Sequence, residues 1–259
     1  MDLRLSGKKA LVCGASQGIG RAVAQELALL GCQVIALARN ESKLRDTVAS
    51  LEGDGHQILV ADHGRTQELK DAVHGFVENH GAIHILINNS GGPPGGPIQD
   101  AGDDAFLAAY TRHLLANVNL SRVLLPGMKD AGFGRIINII STSVKIPIKG
   151  LGVSNATRGA VANWAKTLSY EVASHGITVN NVLPGATETS RLDQIIAGQA
   201  EKQGKSQDAV VAAMKGTIPA ARFGKDYEVA AVAAFLASPA AAYVNGASIP
   251  VDGGRTGSL

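Results

Sequence analysis

The sequence predicts an α/β protein, a doubly wound parallel sheet of about seven strands in a single Rossmann-like domain spanning residues 1–259. Three observations predict it. Apolar runs of strand length alternate with helical patterns along the chain. Runs such as Ile83–Ile87 and Ile136–Ile140 are continuously β-rich, as strands covered on both faces require. Gly14, Gly18 and Gly20 stand between the first such run and the first helical stretch. At 259 residues, 45% hydrophobic and 18% charged, the chain can bury its own core without staples.

The first strand is read at Ala10–Cys13, followed by the glycine turn and a helix over Arg21–Leu30. The spacing is G-x-x-x-G-x-G. A phosphate needs backbone N–H groups aimed at it and a helix N-terminus behind them, and glycine permits both, so a dinucleotide is the first candidate ligand. A tight turn without a ligand would use the same residues. Further strands are read at Gln33–Ala38, Gln57–Ala61, Ile83–Ile87, Arg135–Ile140, Thr178–Leu183 and Ser248–Val251. Ligands of such sheets gather beyond the C-terminal strand ends, which makes the residues just after each run the candidates for chemistry. Gly91–Pro97 therefore reads as an active-face loop, not a domain boundary.

Val161, Trp164, Leu168 and Val172 fall at helical spacing and predict a packed helix. Between Ser190 and Lys215 two shorter amphipathic pieces are expected, broken near Gly198 and Gly204. An insertion over 190–217 would either close over a substrate or form a plain surface hairpin.

A formal charge of +2, 4% aromatic residues and no cluster of Lys and Arg exclude a nucleic-acid partner. Cys13 and Cys32 sit at strand ends that favour small buried side chains. Met1–Lys9 does not resemble a signal peptide and no apolar run reaches membrane-span length, so a reducing, cytoplasmic setting without a membrane partner is expected. His56, His63, His74, His80, His84 and His175 make no ligand pattern with the cysteines, and no catalytic metal is expected.

Several strand-end signatures coincide: Gly14-x-x-x-Gly18-Ile19-Gly20, Asp62, Asn88-Asn-Ser-Gly91, Ser141, Pro184-Gly-Ala-Thr-Glu-Thr189 and Val251-Asp-Gly-Gly254. Together they resemble the short-chain dehydrogenase/reductase family along nearly the whole chain. Val153–Ala160 and the ending Val251–Leu259 look most like an atypical branch similar to β-ketoacyl-carrier-protein reductases. The resemblance implies that Gly14, Gly18, Ile19 and Gly20 form the pyrophosphate turn, and that Asp62 meets the adenine edge. Asn88, Ser90 and Gly91 would flank the adenosine ribose, while Pro184, Gly185, Thr187 and Thr189 would line the nicotinamide end. An acidic residue ending the second strand would repel a 2′-phosphate, and Ala38-Arg39 stands there instead. NADP is therefore expected over NAD, with Ser16 and Gln17 near enough to help; a merely solvated Arg39 is the plain alternative. A homo-oligomer, dimer or tetramer, is also implied, with the Trp164 helix and the last strand at interfaces.

The likeness breaks at the chemistry. The family uses a serine, a tyrosine thirteen positions on and a lysine four beyond, with an asparagine on an earlier helix. Counting from Ser141 reaches Ser154 and then Arg158, and His113 stands at the asparagine position. A phenol of pKa about 10 can be tuned to give up a proton, whereas an aliphatic hydroxyl is a poor acid and a guanidinium, above roughly 12, keeps its proton. His113 would then be a substitute donor through a water, unless it is simply packed. Lys145 and Lys149 read as exposed loop cations, and a hydroxyl of Tyr110 or Tyr243 reaching the gap would restore ordinary chemistry.

The expected function is an NADP(H)-dependent oxidoreductase acting on a carbonyl or alcohol, 3-oxoacyl-thioester-like substrates included. Ser141 would bond the substrate oxygen, Arg158 hold the nicotinamide ribose, and His113 or a water complete the proton path. The competing expectation is a non-catalytic dinucleotide-binding sensor or scaffold, and a weaker third is a lyase or isomerase.

Overall fold

The computed structural model describes residues 1–258, so the last residue of the Val251–Leu259 ending lies outside the described residues. Its strands are β1 (Lys9–Cys13), β2 (Gln33–Ala38), β3 (Gln57–Val60), β4 (Ile85–Asn88), β5 (Gly134–Ile139), β6 (Ile177–Pro184) and β7 (Ser248–Val251). They form one sheet in the order β3-β2-β1-β4-β5-β6-β7, every pair parallel. The chain winds outward in one direction from β1 and then in the other from β4, which opens a crevice above the C-terminal ends of those two strands.

The strand pleat sorts the core into two layers, since successive side chains leave opposite faces. Ala10 and Val12 face one cluster with residues of α1 (Gly18–Leu29), α2 (Glu41–Ala49) and α9 (Asp226–Ala237). Leu11 and Cys13 face the other, built with α3 (Thr66–His80), α5 (Ala116–Asp130) and α6 (Gly152–Val172). Within α6, Val161 and Val172 are buried while Trp164 and Leu168 are half-buried against the same helix layer. Both cysteines are buried, and burial pushes each thiol up to about 12.

Boundaries differ from the sequence reading by one to three residues, the largest at the start of α1, which begins at Gly18 and not Arg21. Ile83 is buried yet lies before the β4 ladder, and β6 extends one residue further at each end than expected. One correction is larger. The expected break near Gly198 is absent: α7 runs through it over Ser190–Gln203, ending at Gly204 with φ +60°, before α8 (Gln207–Lys215). Leu192, Ile196 and Ala200 pack with Val210, Ile218 and Phe223, and that burial outweighs the roughly 1 kcal/mol a mid-helix glycine costs.

Two features position the functional face. In-register amides join the strand ends: Asn88 Nδ2 donates to Asn138 Oδ1 (2.8 Å), Asn138 Nδ2 to Asn181 Oδ1 (2.9 Å), and Asn181 Nδ2 to Ser248 Oγ (3.0 Å). Between α4 (Asp103–Tyr110) and α5 the helix widens into a π turn, Thr111–Leu115, which turns His113 inward. Among the described residues no helix is long and apolar enough to cross a membrane.

Candidate active site

A cleft of about 550 Å³ opens above the C-terminal strand ends, with the first turns of α7 forming one wall. At one end lies the glycine turn. Gly14 has φ +63°, and a Cβ at Gly20 would sit 2.2 Å from the Gly14 carbonyl oxygen, so strand, turn and helix meet at backbone contact. Asn89 Nδ2 donates to the Cys13 carbonyl (3.2 Å) and ties the turn to the β4 loop. The N-cap of α1, Gln17, makes no capping bond and the first turn carries no acid. Its leading N–H groups and the positive end of the helix dipole are left for an anion, which is the fit a pyrophosphate needs.

Beside this turn, Asn40 caps α2 by accepting from the Lys43 amide (2.9 Å) and brings Lys43 to the cleft, where Nζ donates to Gln17 Oε1 (3.4 Å). Arg39 is largely exposed and its Nη1 lies 3.8 Å from Asp62 Oδ2. Asp62 is fixed in turn by accepting from the Gly64 amide (2.8 Å).

At the other end, Ser154 and Arg158 stand one turn apart on α6 and face Ser141, whose Oγ accepts from the Ser143 amide (3.1 Å). Arg158 is 8% exposed; it donates to the carbonyls of Ile139 (3.3 Å) and Ser90 (3.3 Å) and has no carboxylate partner among the described residues. Burial, with Arg191 adding repulsion, lowers its pKa to about 10, so it remains a cation at neutral pH. Arg191, on α7, donates to the Pro93 carbonyl (2.8 Å). The lining thus carries Arg39, Lys43, Arg112, Arg158 and Arg191 against a single carboxylate, Asp62.

Every residue given a cofactor or catalytic role from the sequence lines this one cleft except Gly20, Asn88 and His113. Gly20 packs beneath the turn and Asn88 begins the amide ladder. His113 lies 1% exposed behind Ser90, its Nδ1 2.6 Å from Ser90 Oγ and its Nε2 without a partner. Burial first, then Arg158 and Arg112, push its pKa down to about 2, and burial holds neighbouring His63 near 4. Both imidazoles are neutral at physiological pH, so His113 is no ready proton donor. Among the described residues no tyrosine lines the cleft; Tyr243 is fully exposed and Tyr110 ends α4 half-buried. Lys145 and Lys149 are exposed and off the cleft.

Sequence reading took Asn89 only as part of the Asn88–Gly91 stretch and gave no role to Lys43, Arg112 or Arg191. The first two had a local signal, in the Asn-Asn pair after β4 and in a lysine three residues beyond a helix cap. The two arginines stand beside His113 and Thr189, but that their guanidiniums turn into the cleft is decided only by tertiary packing.

Residues 14–256 match the family described as Enoyl-(Acyl carrier protein) reductase. The 3-oxoacyl-[acyl-carrier-protein] reductase FabG of Pseudomonas aeruginosa is 35% identical over 254 residues, covering 97% of this chain and 98% of the relative. The short-chain reductase protein NovJ of Streptomyces niveus is 32% identical over 250 residues, covering 95% and 93%. Among solved structures, the L-sorbose reductase of Gluconobacter frateurii, complexed with NADPH and L-sorbose, superposes with a TM-score of 0.94 at 31% identity over all of both chains.

Proposed function

Because the chain belongs to the short-chain dehydrogenase/reductase family, we propose that it is an NADP(H)-dependent oxidoreductase of a carbonyl or alcohol substrate with an altered proton-transfer group. The observation that carries this reading is one continuous cleft joining an uncapped helix N-terminus, with Arg39 and Lys43 beside it, to the Ser141, Ser154 and Arg158 group. NADPH, when bound, supplies the hydride. The turn from Gly14 to Ile19 would hold its pyrophosphate, Arg39 and Lys43 its 2′-phosphate, Asp62 its adenosine, and Pro184, Gly185, Thr187 and Thr189 its nicotinamide end.

At the reacting end, the hydroxyls of Ser141 and Ser154 donate to the substrate oxygen, and Arg158 holds the nicotinamide ribose, where its charge also favours negative charge developing on that oxygen. Fixed donors in a partly dry site are an effective form of such stabilisation. With no phenol or imidazolium on the lining, the proton comes from water, and a turnover about 10² to 10⁴ below that of an enzyme with a positioned acid is expected. His113 acts through Ser90, holding its hydroxyl on the cleft wall. The 190–217 segment serves as the substrate lid, since Ser190, Arg191, Leu192 and Ile195 line the cleft. A homo-oligomer, dimer or tetramer, completes the reading; light scattering tests it.

The same lack of a phenol on the lining favours a second reading, a dinucleotide-binding sensor or scaffold without turnover. NADPH fluorescence titration followed by NADPH consumption with ketones and 3-oxoacyl thioesters decides. Binding with steady consumption supports the oxidoreductase, binding without it supports the sensor, and absence of binding overturns both.

A further inference from the structure

The two ends of the cleft differ in what offsets their positive charge. At the phosphate end Arg39 has Asp62 beside it, Nη1 to Oδ2 3.8 Å, and the phosphates of a dinucleotide would meet the rest. At the other end Arg158 has no carboxylate partner among the described residues. Its guanidinium is buried and donates to two carbonyls, of Ile139 at the end of β5 and of Ser90 just after β4. Those bonds satisfy hydrogens and leave the charge unopposed. Asp62, the one carboxylate on the lining, follows β3, three to four strand positions away, or about 14–19 Å along the sheet edge. Arg191, bonded to Pro93 in the loop after β4, adds positive charge on the same side.

Burial gives this charge its reach, because little water lies between Arg158 and a group bound in the cleft to screen one from the other. The two forms of the cofactor differ in one respect that such a site can sense. The nicotinamide ring is a cation in NADP+ and neutral in NADPH, while the pyrophosphate and 2′-phosphate are the same in both. Whatever the glycine turn, Arg39 and Lys43 contribute therefore cancels between them. Among the described residues no tyrosine lines the cleft, so no phenolate can form there to offset the guanidinium.

We propose that Arg158 makes this site selective for the reduced cofactor, its unopposed charge disfavouring the cationic ring of NADP+. This rests on the oxidoreductase reading above, in which Arg158 holds the nicotinamide ribose, and deepens it by giving the reaction a direction. From a mixed pool the site fills with NADPH, which commits it to reduction, and spent NADP+ leaves readily.

The test is calorimetric titration of the protein with NADPH and, separately, with NADP+, in the absence of substrate. NADPH should bind at least tenfold more tightly; like charges about 10 Å apart at an effective dielectric of about 20 disfavour each other by a factor of about fifteen. Ser154→Asp puts a carboxylate one turn before Arg158 on α6 and should bring the two forms to within about threefold. Arg158→Lys keeps the charge and should keep the preference, whereas Arg158→Gln should lose it. Arg39→Ala should weaken both forms alike and leave their ratio unchanged. Failure of both forms to bind would overturn the oxidoreductase reading itself. Binding of both with less than a tenfold preference, or a preference that Ser154→Asp leaves intact or that Arg39→Ala abolishes, would overturn selection by Arg158 alone.

Discussion

His113→Asn separates a proton donor from a buried strut. The wild-type imidazole is 1% exposed, and its pKa falls on folding from 6.5 to about 2; for His63 the fall is from 6.5 to about 4. The folded value lies below the unfolded one in each case, so the unfolded chain takes up the proton first. Stability is therefore full above about pH 6.5 and is lost as the pH falls, until the folded imidazole itself titrates. One pH unit corresponds to about 1.36 kcal/mol for each group. From pH 6.5 to about 5, above both folded values, each imidazole costs about 2 kcal/mol and the two together about 4. Removing His113 should halve that acid-linked loss, read as urea-unfolding free energies by circular dichroism at about pH 7.5, 6 and 5. In the same variant the pH dependence of NADPH turnover should keep its shape through neutrality, because no ionisation of His113 falls there. An unchanged acid loss, or a wild-type inflection between pH 6 and 7 that the substitution abolishes, would refute the buried-neutral assignment and restore histidine as the acid.

Three further outcomes are expected. Gly20→Ala places a Cβ 2.2 Å from the Gly14 carbonyl oxygen, so the turn must shift; fluorescence titration should show NADPH affinity falling at least about tenfold, and a change under twofold would contradict the turn's role. Arg39→Ala should lower NADPH affinity about tenfold while leaving NADH nearly unaffected, the size of one charge-assisted bond; an unchanged NADPH/NADH ratio would remove Arg39 from cofactor choice. Asn138→Ala leaves the Asn88 amide donor and the Asn181 amide oxygen buried without partners, which should cost about 2–5 kcal/mol in urea unfolding. A loss below about 1 kcal/mol would mean the ladder is structurally idle.

Much of the fold is legible in the sequence alone. Strand identity follows from local chemistry, since a run such as Ile136–Ile140 has few other ways to bury itself, and the glycine turn follows from the backbone geometry a strand-to-helix reversal needs. Because parallel strands deliver their C-terminal ends to one face, nearly all the candidate residues could be placed together from strand ends alone. Gly198 misled for a physical reason: a glycine weakens a helix by about 1 kcal/mol, and the packing that outweighs it comes from Val210, Ile218 and Phe223, far along the chain.

Side-chain direction and environment were a different matter. Asn88 and Asn89 are adjacent and alike, yet the pleat sends Asn88 into a buried amide ladder and Asn89 to the cleft. His113 has an ordinary imidazole's chemistry on paper and becomes a neutral, sealed group only because a π turn, Ser90 and two arginines surround it. Arg112 and Arg191 neighbour residues already read as part of the site, yet only the packing of their helices turns their charges into the cleft. Local residue patterns set which elements form and where a ligand can sit; protonation, pairing and charge balance depend on neighbours drawn from several elements, and those exist only once the chain has folded.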